Sequence, residues 1–559
     1  MRKRSQLIQR QFIVLYRVFL LRVVDLEILS ADGDVTKLLG QFAALLAGVS
    51  VLFTAPLILV GGRLDQETLW TMEHLLIATT MVMVGLFSVF NWDSIFPDRK
   101  DVLVLAPLPV GPSTLFVAKL GALISAVFVA ILAMNVFTGL IWTILFSPQY
   151  GGLLGLGRSF LAYWMSLLVA GLFVFCIVLG GQGIASHLLP RQLFLRLSAF
   201  LQVTAFTLLL GMYILEPSLE AKASLTAAEN QHLLKFLPSY WFLGLFQQLN
   251  GSMSPEFAPL AKRAWEGSGI AIVVAVALVT ISYLHTLRKT VEEPDILPSS
   301  VHFRTISNLG RPLQSAVFFF TLRTLLRSRH HRVILSFYLG VAFAVVIAYV
   351  QAPFHRLRSA DAQESVPFLV ASILMTAITI AAIRVVVAMP ITARANWIFR
   401  ITELRPVPKY VAAVRNTMLL LTVLPACTVS TAFLAYEFSP YLAAKHLVML
   451  SLFGALLVEL SVYGFQKIPF TCSYLPGKGN LQYVFWISAF LALPLVGAAA
   501  RLEARTFNNP PGYWGMTLIL IFALVYLSRR VRQEAALTAN VRFEEAYVPE
   551  INALSLHSE

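Results

Sequence analysis

Two kinds of residue in this chain could do chemistry: charged side chains set inside long apolar runs, and aromatic side chains set beside charges in a loop that occurs twice. The first kind comprises Glu73 with His74, Lys119, Arg384, Arg415 and Glu459. A charge at the centre of a bilayer costs about 3 kcal/mol or more, so such residues mark ion pairs or pathways by default. Most of them lie within a few turns of the end of a run, where a long stem can reach the interface. Glu459 is deeper; a structural pair with a base on a neighbouring helix is its first reading, and a substrate or proton role its second. Glu73, Asn135 and Gln202 could line a pathway, although such polar side chains also hydrogen-bond helices to one another. The glycines around Gln182, at Gly180, Gly181 and Gly183, predict close helix approach rather than a ligand site.

The second kind is found in Asn91-Trp92-Asp93-Ser94-Ile95-Phe96-Pro97-Asp98-Arg99-Lys100-Asp101, which is followed by Leu105-Ala106-Pro107-Leu108-Pro109. A shorter version returns as Asn396-Trp397-Ile398-Phe399-Arg400-Ile401-Thr402-Glu403, closed by Leu404-Arg405-Pro406-Val407-Pro408. Asn-Trp, Ile-Phe and Leu-x-Pro-x-Pro recur in the same order. Large apolar side chains next to charges suit the anchor and rim of a protein contact. Trp92, Phe96, Asp98, Arg99, Trp397, Phe399 and Arg400 are therefore the candidate docking residues. An interfacial belt of Trp with solvated charges is the plainer alternative, and repetition of a whole pattern argues against it.

The elements that must position these residues follow from composition. With 58% hydrophobic and 13% charged residues, the chain is built for lipid as its solvent. Only helices and closed barrels satisfy their backbone there, and about twelve runs are long enough to span as helices. The sequence thus predicts an all-α polytopic membrane protein with about twelve transmembrane helices in two tandem six-helix repeats. Its parts are a first half at 1–290 opening with an interfacial helix, a cytosolic linker and interfacial helix at 291–332, a second half at 333–530 and a cytosolic tail at 531–559. The aromatic segment around Pro238–Phe246 reads as short helices resting at the membrane surface. Lys and Arg are in excess on the side holding both termini and both repeated loops, which places that side in the cytoplasm.

Several function classes drop out. The net charge of +14 lies in short loops flanking the runs, without the basic-aromatic platform of a nucleic-acid binder. Cys176, Cys427 and Cys472 are scattered and predict neither disulfides nor a metal site. Gly477-Lys478 continues as Gly479-Asn480 rather than as a phosphate-binding loop, and no His-Glu-x-x-His or Gly-x-Ser-x-Gly is present. No catalytic, cofactor or metal residue is assigned. Asn250-Gly251-Ser252 matches a glycosylation acceptor, read as a chance match.

With its basic amphipathic helix, its loop between spans two and three and its aromatic segment between spans five and six, each half resembles the permease subunits of class-two ABC exporters. The resemblance covers nearly the whole chain and rests most on Asn91-Trp92 with Leu105-x-Pro107-x-Pro109 and on Asn396-Trp397 with Leu404-x-Pro406-x-Pro408. It implies a double-length permease in the cytoplasmic membrane. The two loops would then be coupling elements for a cytosolic ATPase subunit, in two copies, that binds ATP outside this chain. The short segment of about Arg501 to Gly512 and the unequal loops depart from the family pattern. Two rivals stand beside it. One is a major-facilitator-like secondary carrier driven by an ion gradient, for which the spans look poor in buried acids; the other is a non-transporting membrane scaffold.

Overall fold

A computed structural model describes residues 2–24, 66–91, 105, 107–146, 152–215, 234–251, 256–292, 312–328, 366–387, 407–437, 440–464, 470 and 495–537, with isolated positions in 46–58 and 331–346. Among these residues the chain is helical and has no strand. Eight helices among them are long and apolar enough to cross a membrane, and the chain is an all-α polytopic membrane protein. The predicted runs at 38–61, 333–350 and 482–500 fall largely outside the described residues. The fifth run is a helix, Arg191–Leu215, within which Phe200–Tyr213 is an apolar stretch.

Two compact units divide the chain, Met1–Ser299 and Ser300–Glu559. The first contains α1 (Arg2–Val24), α2 (Gln66–Phe90), α3 (Pro112–Phe146), α4 (Gly152–Leu188), α5 (Arg191–Leu215), α6 (Pro238–Asn250) and α7 (Phe257–Glu292). Helix α4 is the hub, with α2, α3, α6 and α7 packed on it, while α1 lies along α3 and α2 also meets α5. Helix α1 buries Leu15, Phe19, Leu20 and Val23 against that neighbour and leaves Arg10, Val14, Arg17 and Val18 exposed. Apolar residues with arginines on an outward face suit the headgroup boundary. Lys119, read as a snorkelling residue, is instead buried on α3 with its ammonium over the Phe19 ring, 5.0 Å from the centroid.

Small residues set the close crossings. A Cβ on Gly183 would stand 3.1 Å from Leu278 Cβ and 3.3 Å from the Leu278 carbonyl carbon, so α4 and α7 touch at backbone distance there.

Helix α6 departs from the sequence expectation. It is not laid open on a surface: Tyr240, Phe242, Leu243, Leu245 and Phe246 are all buried, against α2, α4 and α7. Aromatics at both i and i+4 spacing make the same pattern as an interfacial belt, and here the core takes them. The helix ends at Gly251, whose φ of 80° is the left-handed conformation of a glycine cap. Asn250 is buried at that turn, which agrees with reading the glycosylation match as chance.

Gly244 permits the α6–α7 contact. A Cβ there would lie 2.6 Å from Leu260 Cβ and 2.9 Å from the Ala261 nitrogen, and backbone cannot yield as a flexible side chain can. Gly244→Ala is expected to lower unfolding free energy in detergent by about 1–3 kcal/mol, as overpacking does. A Gly157→Ala control, whose Cβ would meet nothing within 4 Å, should leave stability unchanged or raise it by up to about 1 kcal/mol.

The second unit contains α8 (Pro312–Arg327), α9 (Val366–Val387), α10 (Val407–Met418), α11 (Leu424–Glu437), α12 (Pro440–Val462), α13 (495–507) and α14 (Pro510–Leu537). Helices α10 and α11 form one rod joined by a π turn, Leu419–Val423, in which the Leu424 N–H donates to the Leu419 carbonyl. Pro425 explains the turn: it has no N–H to offer Leu421, so the ladder reorganises just before it. Helix α8 packs on α10, α9 on α12, and α12 on α14. One buried cluster gathers Val386, Tyr410, Val414, Met418 and Val458, and another gathers Leu369, Ile373, Leu450, Ala500 and Phe507.

Candidate functional site

The docking residues Trp92, Phe96, Asp98, Arg99, Trp397, Phe399 and Arg400 lie outside the described residues; both ends of the first loop are described. At its start, the Asn91 backbone N–H and side-chain amide both donate to the Phe87 carbonyl, each at 3.0 Å, and close the last turn of α2. At its end, Leu108 N–H donates to the Leu105 carbonyl and Val110 N–H to the Leu108 carbonyl. The Pro109 carbonyl, which those turns leave pointing outward, accepts from Gln11 Nε2 of α1 at 3.2 Å. Asn and Leu-x-Pro-x-Pro therefore do local work: one stops a helix, and the other turns the chain under α1 before α3 begins at Pro112.

Two polar clusters hold the remaining sequence candidates. In the first unit Glu73 of α2 is 2% exposed and its Oε2 accepts from Gln247 Nε2 of α6. His74 stacks on Tyr240, with centroids 4.1 Å apart. Two turns along α2, at Thr80, Asn135 Nδ2 donates to the Ile131 carbonyl at 2.9 Å and to Thr80 Oγ1 at 3.2 Å, while Oδ1 accepts from Tyr163 at 3.2 Å. Asn135 has spent both ends of its amide on α2, α3 and α4, which is the work of a helix-joining residue. A void of about 10 Å³ lies beside Glu73, Trp142, Tyr163 and Phe246, and its exposed lining is apolar. An apolar gap of that size is a packing defect rather than a ligand site. Gln202 of α5 is also buried, at 1% exposure.

In the second unit Glu459 of α12 meets Arg415 of α10, Oε1 to Nη1 at 3.1 Å. Arg415 also reaches Asn416 and Ser528, and Arg384 of α9 donates to the Ser461 carbonyl at 2.7 Å. The pair sits one turn before the π turn of the α10–α11 rod, so charge and backbone irregularity coincide on one side of the unit. Glu73 and Asn135 belong to the first unit and Glu459 to the second.

Sequence reading missed a third cluster. His446 of α12 lies with Nε2 2.7 Å from Ser372 Oγ of α9 and Nδ1 2.7 Å from Glu503 Oε1 of α13. Beside it, Lys445 donates to the Phe507 carbonyl at 3.0 Å and Tyr513 donates to the Lys445 carbonyl at 3.2 Å. The signal available in the sequence was Lys445-His446 near the start of an apolar run and Glu503 near the end of another. Among the described residues no group of three His, Cys, Asp or Glu could hold a metal ion. Cys176 is buried and Cys427 half-buried, both unpaired, while Cys472 lies outside the described residues. No family model, no curated protein and no solved structure matches this chain.

Proposed function

We propose that this chain is the membrane-spanning permease subunit of an ATP-driven ABC export system. Two tandem six-helix halves, twelve spans in all, would lie in the cytoplasmic membrane with both termini inside. A separate cytosolic ATPase, in two copies, binds the ATP and grips the two loops. Closure of that ATPase then shifts the bundle between its two openings.

The observation that carries this reading is the loop repeat itself, Asn-Trp to Leu-x-Pro-x-Pro in each half. The packing within each unit supports it. In the first unit the opening helix α1 packs on α3, α2 on α4 and α4 on α7; in the second α8 packs on α10, α9 on α12 and α12 on α14. These are the same three pairs if α8 stands for α1, α9 for α2, α10 for α3, α12 for α4 and α14 for α7. The Gln11 bond to Pro109 further ties the opening helix to the root of the loop, so a push on the loop has a rigid path to α3.

The test is co-purification. The tagged full-length chain is extracted from its native host in mild detergent, and vanadate-sensitive ATPase activity is measured in the eluate, beside Trp92→Asp/Trp397→Asp. Buried aromatic anchors contribute about 2 kcal/mol or more each, so the variant should lose at least tenfold of that activity at equal membrane abundance. Unchanged activity in the variant, or none with the native chain, would refute the coupling role.

A carrier driven by an ion gradient is the second reading. Sequence inspection counted few buried acids, yet Glu73, Glu459 and Glu503 are each under 5% exposed. Transport that survives nucleotide depletion and stops when the gradient is dissipated would favour the carrier.

A further inference from the structure

The His446 cluster can be read by counting its protons. Ser372 Oγ donates to the Leu369 carbonyl at 2.9 Å and also lies 2.7 Å from His446 Nε2. A hydroxyl has one proton and a carbonyl has none to give. While that proton is turned to Leu369, the contact at Nε2 needs a proton on the ring nitrogen; turned to Nε2 instead, it lets that nitrogen accept. The 2.7 Å contact between His446 Nδ1 and Glu503 Oε1 needs another. In the first arrangement, wherever that last proton sits, the His446–Glu503 pair carries one proton more than a neutral imidazole beside a carboxylate. Its formal charge is then zero.

Release of that proton has a defined structural consequence. Nδ1 keeps its hydrogen toward the carboxylate, Nε2 becomes an acceptor, and the Ser372 hydroxyl must turn from Leu369 to Nε2. The pair becomes singly negative. We propose that Ser372, His446 and Glu503 form a binding site for one exchangeable proton, joining α9, α12 and α13 of the second unit.

The surroundings fit a change of one charge. Lys445 is buried on α12, with its ammonium 4.4 Å from the Tyr441 ring centroid and 5.2 Å from that of Tyr513 on α14. Its positive charge offsets the negative pair left on release. Helix α9 contributes only hydroxyls beside the site, with Thr376 donating to the Ser372 carbonyl. Helix α11 brings Cys427, which packs against the neighbouring apolar cluster. On α13, Arg501 and Arg505 are exposed, which leaves Glu503 as the buried charge of that helix.

The same three residue types could suggest a nucleophilic serine, and the geometry opposes that. Ser372 sits in the second turn of α9, where backbone N–H groups are committed to the helix ladder and cannot cradle an oxyanion. Its hydroxyl already serves Leu369, and the three side chains are each 9% exposed or less, so no substrate carbonyl can reach them. A proton is the ligand that such a site admits.

The experiment reads the imidazole directly in the full-length chain, in lipid nanodiscs with ¹⁵N-labelled histidine, by solid-state NMR between about pH 5 and 9. The His446 signals are those missing in His446→Gln, or, if that variant fails to fold, those in contact with ¹³C-labelled glutamate carboxyl carbon. Nε2 is expected to carry a proton at the acid end and to lose it at the alkaline end, leaving the Nδ1–H form. In Glu503→Gln that preference for Nδ1–H should be lost. A His446 ring that stays in one state throughout, or that keeps its proton on Nε2 once neutral, would overturn the proposal. The site stands on the second unit alone, so loss of the ATPase reading would leave this titration untouched.

Discussion

Arg415→Met should destabilise the protein by about 3–5 kcal/mol, because it strands the Glu459 carboxylate. Glu459 is 5% exposed in its side chain, and among the described residues its Oε2 has no partner, so Oε1 depends on Arg415. Removing one member of a buried pair typically costs about 3–5 kcal/mol. Arg415→Met/Glu459→Leu, which removes both charges and keeps volume, should return to within about 1–2 kcal/mol of the native protein. Unfolding in mixed micelles measures both. A double variant no more stable than Arg415→Met would show that Glu459 does not depend on Arg415.

How much of this was legible beforehand differs by residue. Runs such as Pro112–Phe146 and Val366–Val387 could be read because a bilayer-length apolar helix has no other stable form in lipid. The close approach at Gly183 was legible for a similar reason, since small residues within a span have few other uses. A partner for Glu459 was anticipated because an unpaired charge at that depth is too costly, although which base would meet it was not.

The burial of α6 was not legible. Leu237-Pro238-Ser239-Tyr240-Trp241-Phe242 carries the same aromatic content whether it lies on a headgroup layer or in a core, and only the contacts of Gly244 with Leu260 and Ala261 decide between them. The Ser372–His446–Glu503 site was hidden for another reason: its members stand 74 and 57 residues apart on three helices. Glu503, besides, fell in the short segment of about Arg501 to Gly512, set apart from the apolar runs, whereas α13 buries it. The docking residues lie outside the described residues; Asn91 and Pro109 are the structured posts on either side of the first loop.

Asn135 offers the sharpest separation of a structural role from a pathway role. Asn135→Leu removes the bonds to Thr80 on α2 and Tyr163 on α4 together. Interhelical hydrogen bonds within membranes contribute about 0.6 kcal/mol each on average and about 1.7 at most. A hydroxyl left buried without a partner adds about 1–3 kcal/mol, and Tyr163 is only 2% exposed. Thr138 stands close enough to capture part of that hydroxyl's demand, which sets the lower end. The loss should therefore be about 2–4 kcal/mol. Adding Tyr163→Phe should recover at least about 1 kcal/mol, since the stranded hydroxyl is then gone. A pathway residue behaves otherwise: its replacement by Leu changes transport while leaving unfolding where it was, and the second substitution recovers nothing. Because the amide of Asn135 is already satisfied at both ends by Ile131, Thr80 and Tyr163, it has nothing left with which to hold a passing solute, and stability is the property that should move.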